Sequence, residues 1–135
     1  MNDSNTSNTF SDLSSPKVET GVVVSTYHPL KHYIWGDKCD GWNLVDEPSL
    51  SVKQERMPAG SSEAKHYHQQ SQQFFYILKG IATFEVNKAI VKVEAGEGFH
   101  IPPNTTHCIH NRSSEVLEFI LCSQPSTSND RIDCE

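Results

Sequence analysis

The sequence has no run of eighteen apolar residues, so it offers no membrane-spanning helix. It has no basic excess either: 11 Lys and Arg stand against 17 Asp and Glu, a net charge of −6. That balance speaks against nucleic acid or an anionic membrane as a partner. The first residues, Met1 to Thr9, lack the basic and apolar regions of a signal peptide, and a cytoplasmic protein is the expectation. The four cysteines, Cys39, Cys108, Cys122 and Cys134, lack the close pairing of zinc or redox motifs. In a reducing compartment they are expected as free thiols, with Cys108 and Cys122 as small core or inter-sheet residues. Helical periodicity and internal repeats are absent too. What remains is a series of about ten short β-type stretches punctuated by Gly, Pro and Asn, the pattern of an all-β sandwich or barrel.

At 135 residues the chain fits one domain. Residues 1–17 are dominated by Ser, Asn, Thr and Asp and read as a disordered tail. The folded domain is expected over 18–125, and 126–135 reads as a polar C-terminal tail. Val22-Val23-Val24 suggests a first strand over Gly21 to Thr26, and Gly36 to Gly41 a loop before a short strand from Trp42 to Val45. Trp35 and Trp42 flank that loop, either as packing residues or as a lid over a barrel mouth. His28 and His32 have no partner at ligand spacing and are expected to pack or face solvent.

Leu50 to Met57 alternates, with Leu50, Val52, Gln54 and Arg56 on one face and Ser51, Lys53, Glu55 and Met57 on the other. If Leu50 and Val52 turn inward, Gln54 and Arg56 follow. An inward Arg56 needs a buried carboxylate or an anionic substrate; otherwise strand twist takes it to solvent. From Gln73 to Leu78 both faces are bulky, so something must cover the second one. The N-terminal strands would serve, or a second copy in a homodimer. Ile81 to Val86 and Ile90 to Val93 read as a hairpin about Asn87, and Val116 to Cys122 as the last strand.

Two segments carry the chemistry. His66 and His68 lie two residues apart, which on an extended strand aims both imidazoles at one face, half of a first-row transition-metal site. The polar turn Gln69 to Gln72 suggests a hairpin that folds Gln73 back beside them. In the second segment His107, Ile109 and Asn111 share a face, with Cys108 and His110 opposite, so His107 points in. The first segment runs Gly60, five residues, His66-x-His68, four residues, Gln73, six residues, Gly80; the second runs Gly96, five residues, Pro102, Asn104, His107, Asn111. These spacings resemble the two cupin motifs throughout. Two identities depart from them: Gln73 stands where Glu is usual and Asn104 where Gly is usual. Asn tolerates the left-handed backbone, which makes the second change conformationally mild.

The resemblance implies a double-stranded β-helix, the jelly-roll cupin barrel. It implies a divalent transition metal (Fe, Mn, Ni, Cu or Zn) on His66, His68 and His107, with Gln73 beside them. A neutral amide leaves the metal its full dipositive charge, and three histidines leave positions open for water or substrate. The implied function is a metal-dependent oxygenase or dioxygenase acting on a small molecule. The alternatives are a metal-assisted isomerase or lyase, or a non-enzymatic small-ligand-binding cupin. Gln54 and Arg56 are the candidate catalytic residues. Tyr76 is expected to face away, His100 either lines the pocket or faces out, and no dedicated general base is evident.

Overall fold

The computed structural model describes residues 21–134, which form eleven strands and no helix. The expected tail over 1–17 lies outside these residues. The strands are β1 (Lys31–Trp35), β2 (Cys39–Glu47), β3 (Leu50–Met57), β4 (His66–Tyr67), β5 (Gln72–Lys79), β6 (Ile81–Val86), β7 (Ala89–Glu94), β8 (Gly98–Ile101), β9 (His107–His110), β10 (Leu117–Gln124) and β11 (Ile132–Asp133). One sheet has the order β1-β2-β3-β10-β5-β8, the other β11-β4-β9-β6-β7, and their strand pairs are antiparallel. The two sheets face each other as a jelly-roll barrel, as the motif spacing led one to expect. No helix among the described residues is long and apolar enough to cross a membrane.

The core forms where inward residues of both sheets meet. Phe75 and Phe119 come from the larger sheet and Phe84 from the smaller; Phe75 meets Phe84 edge-on at 4.9 Å between centroids. Such edge-to-face pairs add to the burial of apolar area itself. Met57, Ile77, Leu117 and Ile109 fill the same space and are fully buried or nearly so. The β6–β7 hairpin turns on Asn87 at φ 56°, and Asn104 holds φ 61°, the left-handed conformation that Asn accepts at low cost.

Several expectations change at this level. The triple valine forms no strand: Val22 and Val23 stay exposed, since β propensity counts only where a partner strand accepts the ladder. The first strand is instead β1, and β2 begins at Cys39, which joins the core rather than a loop. Cys39 and Cys108 are the buried cysteines and Cys122 is half-buried; all four are free thiols. His66 and Gln73 are not joined by a hairpin, because β4 and β5 lie in opposite sheets and the chain crosses the sandwich between them. The stretch after Pro125 is part of the domain. There Ile132 and Asp133 pair with Tyr67 and His66, and the Cys134 N–H donates to the Lys65 carbonyl at 2.9 Å.

The inward face of β3 is the reverse of the one expected from Leu50 and Val52. Ser51, Glu55 and Met57 are buried, while Leu50 is 38% exposed. The neighbouring strand decides this: Leu117, Phe119 and Leu121 of β10 lie opposite Met57, Glu55 and Lys53, so those three share the barrel interior. Finally, β1 and β2 extend the sheet beyond β3 instead of covering β5. Phe74, Tyr76 and Leu78 therefore keep 41%, 41% and 43% of their surface exposed.

Candidate metal centre

His66 lies on β4 directly opposite His107 on β9, which seats two imidazoles on neighbouring strands. His68 follows at the end of β4, where Asn104 donates its N–H to the His68 carbonyl at 2.7 Å. The ring centroids lie 4.9 Å (His66–His68), 4.5 Å (His66–His107) and 5.8 Å (His68–His107) apart. One ligand nitrogen from each falls within 4.8 Å of the others.

The hydrogen bonds settle which nitrogens face the centre. His66 Nδ1 meets the Ala64 carbonyl at 2.8 Å, His68 Nδ1 the Asp130 carbonyl at 2.6 Å, and His107 Nδ1 the Thr105 carbonyl at 2.8 Å. A carbonyl only accepts, so each Nδ1 carries the proton and each Nε2 presents a lone pair. This is the second-sphere arrangement that orients metal-ligating histidines. Burial, the largest cause in each case, lowers His66 to about 3 and His107 to about 4 and also lowers His68. The three rings are therefore neutral near pH 7, as ligands must be.

Two further observations show that the residues fit a cation. His68 Nε2 is buried and without a hydrogen-bond partner. Gln73 donates through its amide nitrogen to Ser123 Oγ at 3.1 Å, which turns Oε1 toward His107 Nε2 at 3.2 Å. In this orientation the amide oxygen and the imidazole nitrogen present two acceptors side by side, which suits a positive charge between them. Three imidazole nitrogens and an amide oxygen form a mixed donor set suited to a first-row divalent metal.

His66, His68 and Gln73 open onto a cavity of about 260 Å³. Phe75, Ile109 and Leu121 form its apolar walls, and Trp35 and Thr127 also border it. Its lining also carries Tyr33, Lys53 and Glu55 from the larger sheet, and Glu63 and Arg131 from segments next to β4 and β11 in the histidines' sheet. Tyr33 Oη donates to Glu55 Oε2 in a short hydrogen bond. Burial raises Glu55, and it pushes Glu63 up to about 8; the Glu55 charge adds to the latter shift. Arg131 Nη1 lies 3.9 Å from Glu63 Oε2.

Gln54 and Arg56, the expected catalytic residues, are not in this cavity. They lie on the outer face of β3, where Arg56 stacks over Trp42 at 5.7 Å and approaches Glu118 at 3.7 Å. Trp42 is thus an outer-face packing residue, whereas Trp35 packs on the core and borders the cavity. His100 is exposed and meets Gln72 Oε1 at 2.9 Å. His32 sits outside as well, bonded to Asp40 at 2.9 Å. The polar wall escapes a reading of the sequence for two reasons. Leu50 and Val52 suggest the wrong parity for β3, where Met57 carries the right one, and Arg131 lies in an apparent tail. Asn111, at the end of the second motif, is a latch: its amide donates to the Met57, Pro58 and Glu115 carbonyls.

Comparison with known proteins agrees with this picture. An uncharacterized protein of Methanocaldococcus jannaschii is 27% identical over 114 residues, 81% of this chain and 91% of that protein. An oxalate-binding protein of Thermotoga maritima is 32% identical over 65 residues, 48% of this chain and 54% of that protein. Among solved structures, a predicted oxalate decarboxylase from Thermotoga maritima superposes with a TM-score of 0.69 at 21% identity, over 78% of this chain and all of that one (100%). A Streptomyces PAC13 variant with uridine gives 0.68 at 19% identity, over 78% and 84%. At such identities the structures share the fold and no more. The cupin domain model matches residues 53–123, over half of the sequence and the whole histidine constellation, and the chain belongs to the cupin family.

Proposed function

We propose that this cupin is a metal-dependent enzyme acting on a small, metal-chelating carboxylate, by polarising it and not by activating oxygen. The observation that carries the reading is the meeting, in one cavity, of His66 and His68, two of the three neutral histidines, with Lys53 and Arg131. A dipositive ion on His66, His68 and His107, with Gln73 beside it, would supply Lewis-acid polarisation of a bound oxygen. Lys53 and Arg131, both in the lining, would draw the rest of an anionic molecule into the cavity. At about 260 Å³ the space is below the ~300–1,000 Å³ of drug-sized pockets, which suits a metabolite of few heavy atoms. The names of two relatives, an oxalate-binding protein and a predicted oxalate decarboxylase, support a small carboxylate as the ligand class.

Gln73 bears on the reaction. A carboxylate there would neutralise part of the metal charge; the amide does not, which favours Lewis-acid chemistry. The oxygenase reading rests on the same three histidines and open positions, and the experiment separates the two. Elemental analysis of wild-type protein should find near one equivalent of metal, and calorimetry with the loaded protein should show saturable oxalate binding. Oxygen consumption during turnover of a chelating substrate would move the assignment to a dioxygenase. Saturable binding with no turnover of any 2-oxo or dicarboxylic acid would leave a ligand-binding cupin. Absence of metal after reloading with iron, manganese, nickel, copper and zinc would end the metal-dependent reading.

The exposed outer face of β5 supports a second copy as its cover. Sedimentation should then show a dimer, and Tyr76→Glu a monomer.

A further inference from the structure

One row of residues runs across three strands of the larger sheet. Tyr33 on β1 lies opposite Gly41 on β2, and Gly41 lies opposite Glu55 on β3. The middle position has no side chain, and that absence has a consequence. A Cβ on Gly41 would collide with Tyr33 Cζ and fall 2.5 Å from its hydroxyl. The tyrosine ring therefore lies flat over the bare backbone of β2 and delivers its hydroxyl to the Glu55 carboxyl. No larger residue at 41 would leave room for it.

Glu55 itself is 7% exposed and faces Phe119 across the β3–β10 pair. A buried carboxyl destabilises a fold unless it is fully paired. Among the described residues Tyr33 is its one hydrogen-bonding side chain, and no ion pair involves it. Stability alone would be better served by an apolar residue. The carboxyl also borders the cavity that His66 and His68 line, with Lys53 on its own strand and Glu63 and Arg131 on neighbouring segments.

We propose that Tyr33 and Glu55, set by the gap at Gly41, form the proton-transfer site of this barrel, acting on a small carbonyl acid. This rests on the metal-dependent reading above. In the step, the ionised Glu55 takes a proton from the carbon next to a carbonyl whose oxygen faces the histidines. The electron pair of the broken C–H bond passes into that carbonyl. Return of the proton from Glu55 to the same carbon re-forms the C–H bond and restores both the carbonyl and the carboxylate. Tyr33 donates to the carboxylate while it is charged, which holds its orientation and moderates its basicity. Burial strengthens that basicity, and Lys53 and Arg131 oppose it.

Two measurements test the pair. In the metal-free protein, labelled with 13C at glutamate carboxyls, Glu55 should titrate above the ordinary carboxylate range. Tyr33→Phe should raise it further, because the hydrogen bond that favours the anion is gone. Gly41→Ala should do the same by displacing the ring. In the metal-loaded protein, exchange of the methyl protons of pyruvate in D2O, followed by NMR, should fall about a hundredfold in Glu55→Gln, in line with general acid–base contributions. Metal content should not change in that variant. A Glu55 titration indifferent to Tyr33→Phe, or a loaded wild type that exchanges pyruvate no faster than Glu55→Gln, would overturn the proposal. Failure of metal loading would strike the reading it rests on, and the metal-free titration would still decide on the pair.

Discussion

Strand β9 carries potential metal ligands on both faces, and the two faces differ in one respect. Inward, His107 joins His66 and His68; outward, Cys108 and His110 join Glu85, and those three ligand atoms also converge within 4.8 Å. By residue type the outer cluster is as good a metal site as the inner one. Its atoms, however, are already satisfied. His110 Nδ1 meets Ser62 Oγ at 2.7 Å and His110 Nε2 meets Glu85 at 3.0 Å. Glu85 also takes Arg112 at 2.9 Å and Lys65 at 3.3 Å. Among the described residues no Lys or Arg forms an ion pair or hydrogen bond at the inner lone pairs, and His68 Nε2 has no partner. Donor type nominates a site, and unsatisfied donors select it.

The comparison breaks most severely with His68→Ala. That variant should lose metal by more than the ~10–100-fold that second-sphere changes cost, read by elemental analysis after dialysis. If His110→Ala lost metal equally, the ranking of the two faces would be overturned.

A pH series on metal-free protein should also separate the inner histidines from the acids near them. His66 and His107 fold with values of about 3 and 4, below the ~6.5 of an unfolded histidine. The unfolded chain therefore takes up protons first as pH falls. Their contribution is whole above about 6.5 and is lost as pH drops through the folded values. Glu63 runs the other way: at about 8, above an unfolded ~4.3, its contribution is present at low pH and lost as pH rises through 8. Urea midpoints should show both slopes, and Glu63→Gln should remove only the loss of stability between ~4.3 and about 8.

Asp130→Ala should have a smaller effect. Its carboxylate accepts the N–H groups of Gln69, Gln70 and Ser71 at 2.8, 3.0 and 2.9 Å, and its carbonyl holds His68 Nδ1. Loosening that loop should weaken metal binding by about tenfold, as second-sphere changes do. Gln73→Glu should tighten retention modestly by adding an anionic donor where the amide oxygen now points. On the outer face the expected effect is nil: cobalt-loaded wild type should show no thiolate-to-metal charge-transfer band. A band that vanished in Cys108→Ser would mean that the outer cluster binds metal after all.

The His66–His68 half of the inner site was legible because its spacing is local. His66 and His68 share a face by the two-residue period of a strand, and Asn87 and Asn104 announce turns that need a positive φ. The strands at Leu50 to Met57, Gln73 to Leu78 and Ile81 to Val86 fall where the sequence places them. What misled was parity and pairing. A strand has two faces, and a pattern as mixed as Leu-Ser-Val-Lys-Gln-Glu-Arg-Met does not say which of them the next strand will bury. On that account Gln54 and Arg56 face outward, and Lys53 and Glu55 border the cavity.

By itself, then, the sequence determined the all-β class, the turn positions and the shared face of His66 and His68, each from residues within a few positions of one another; His107 joined them only through the resemblance over two motifs. The acid wall was decided only in three dimensions. Tyr33 reaches Glu55 because three strands align in register over a glycine, and Arg131 arrives because a short strand near the chain's end pairs with β4. Register between distant strands is set by which side chains the opposite sheet can bury, and no local pattern carries that information.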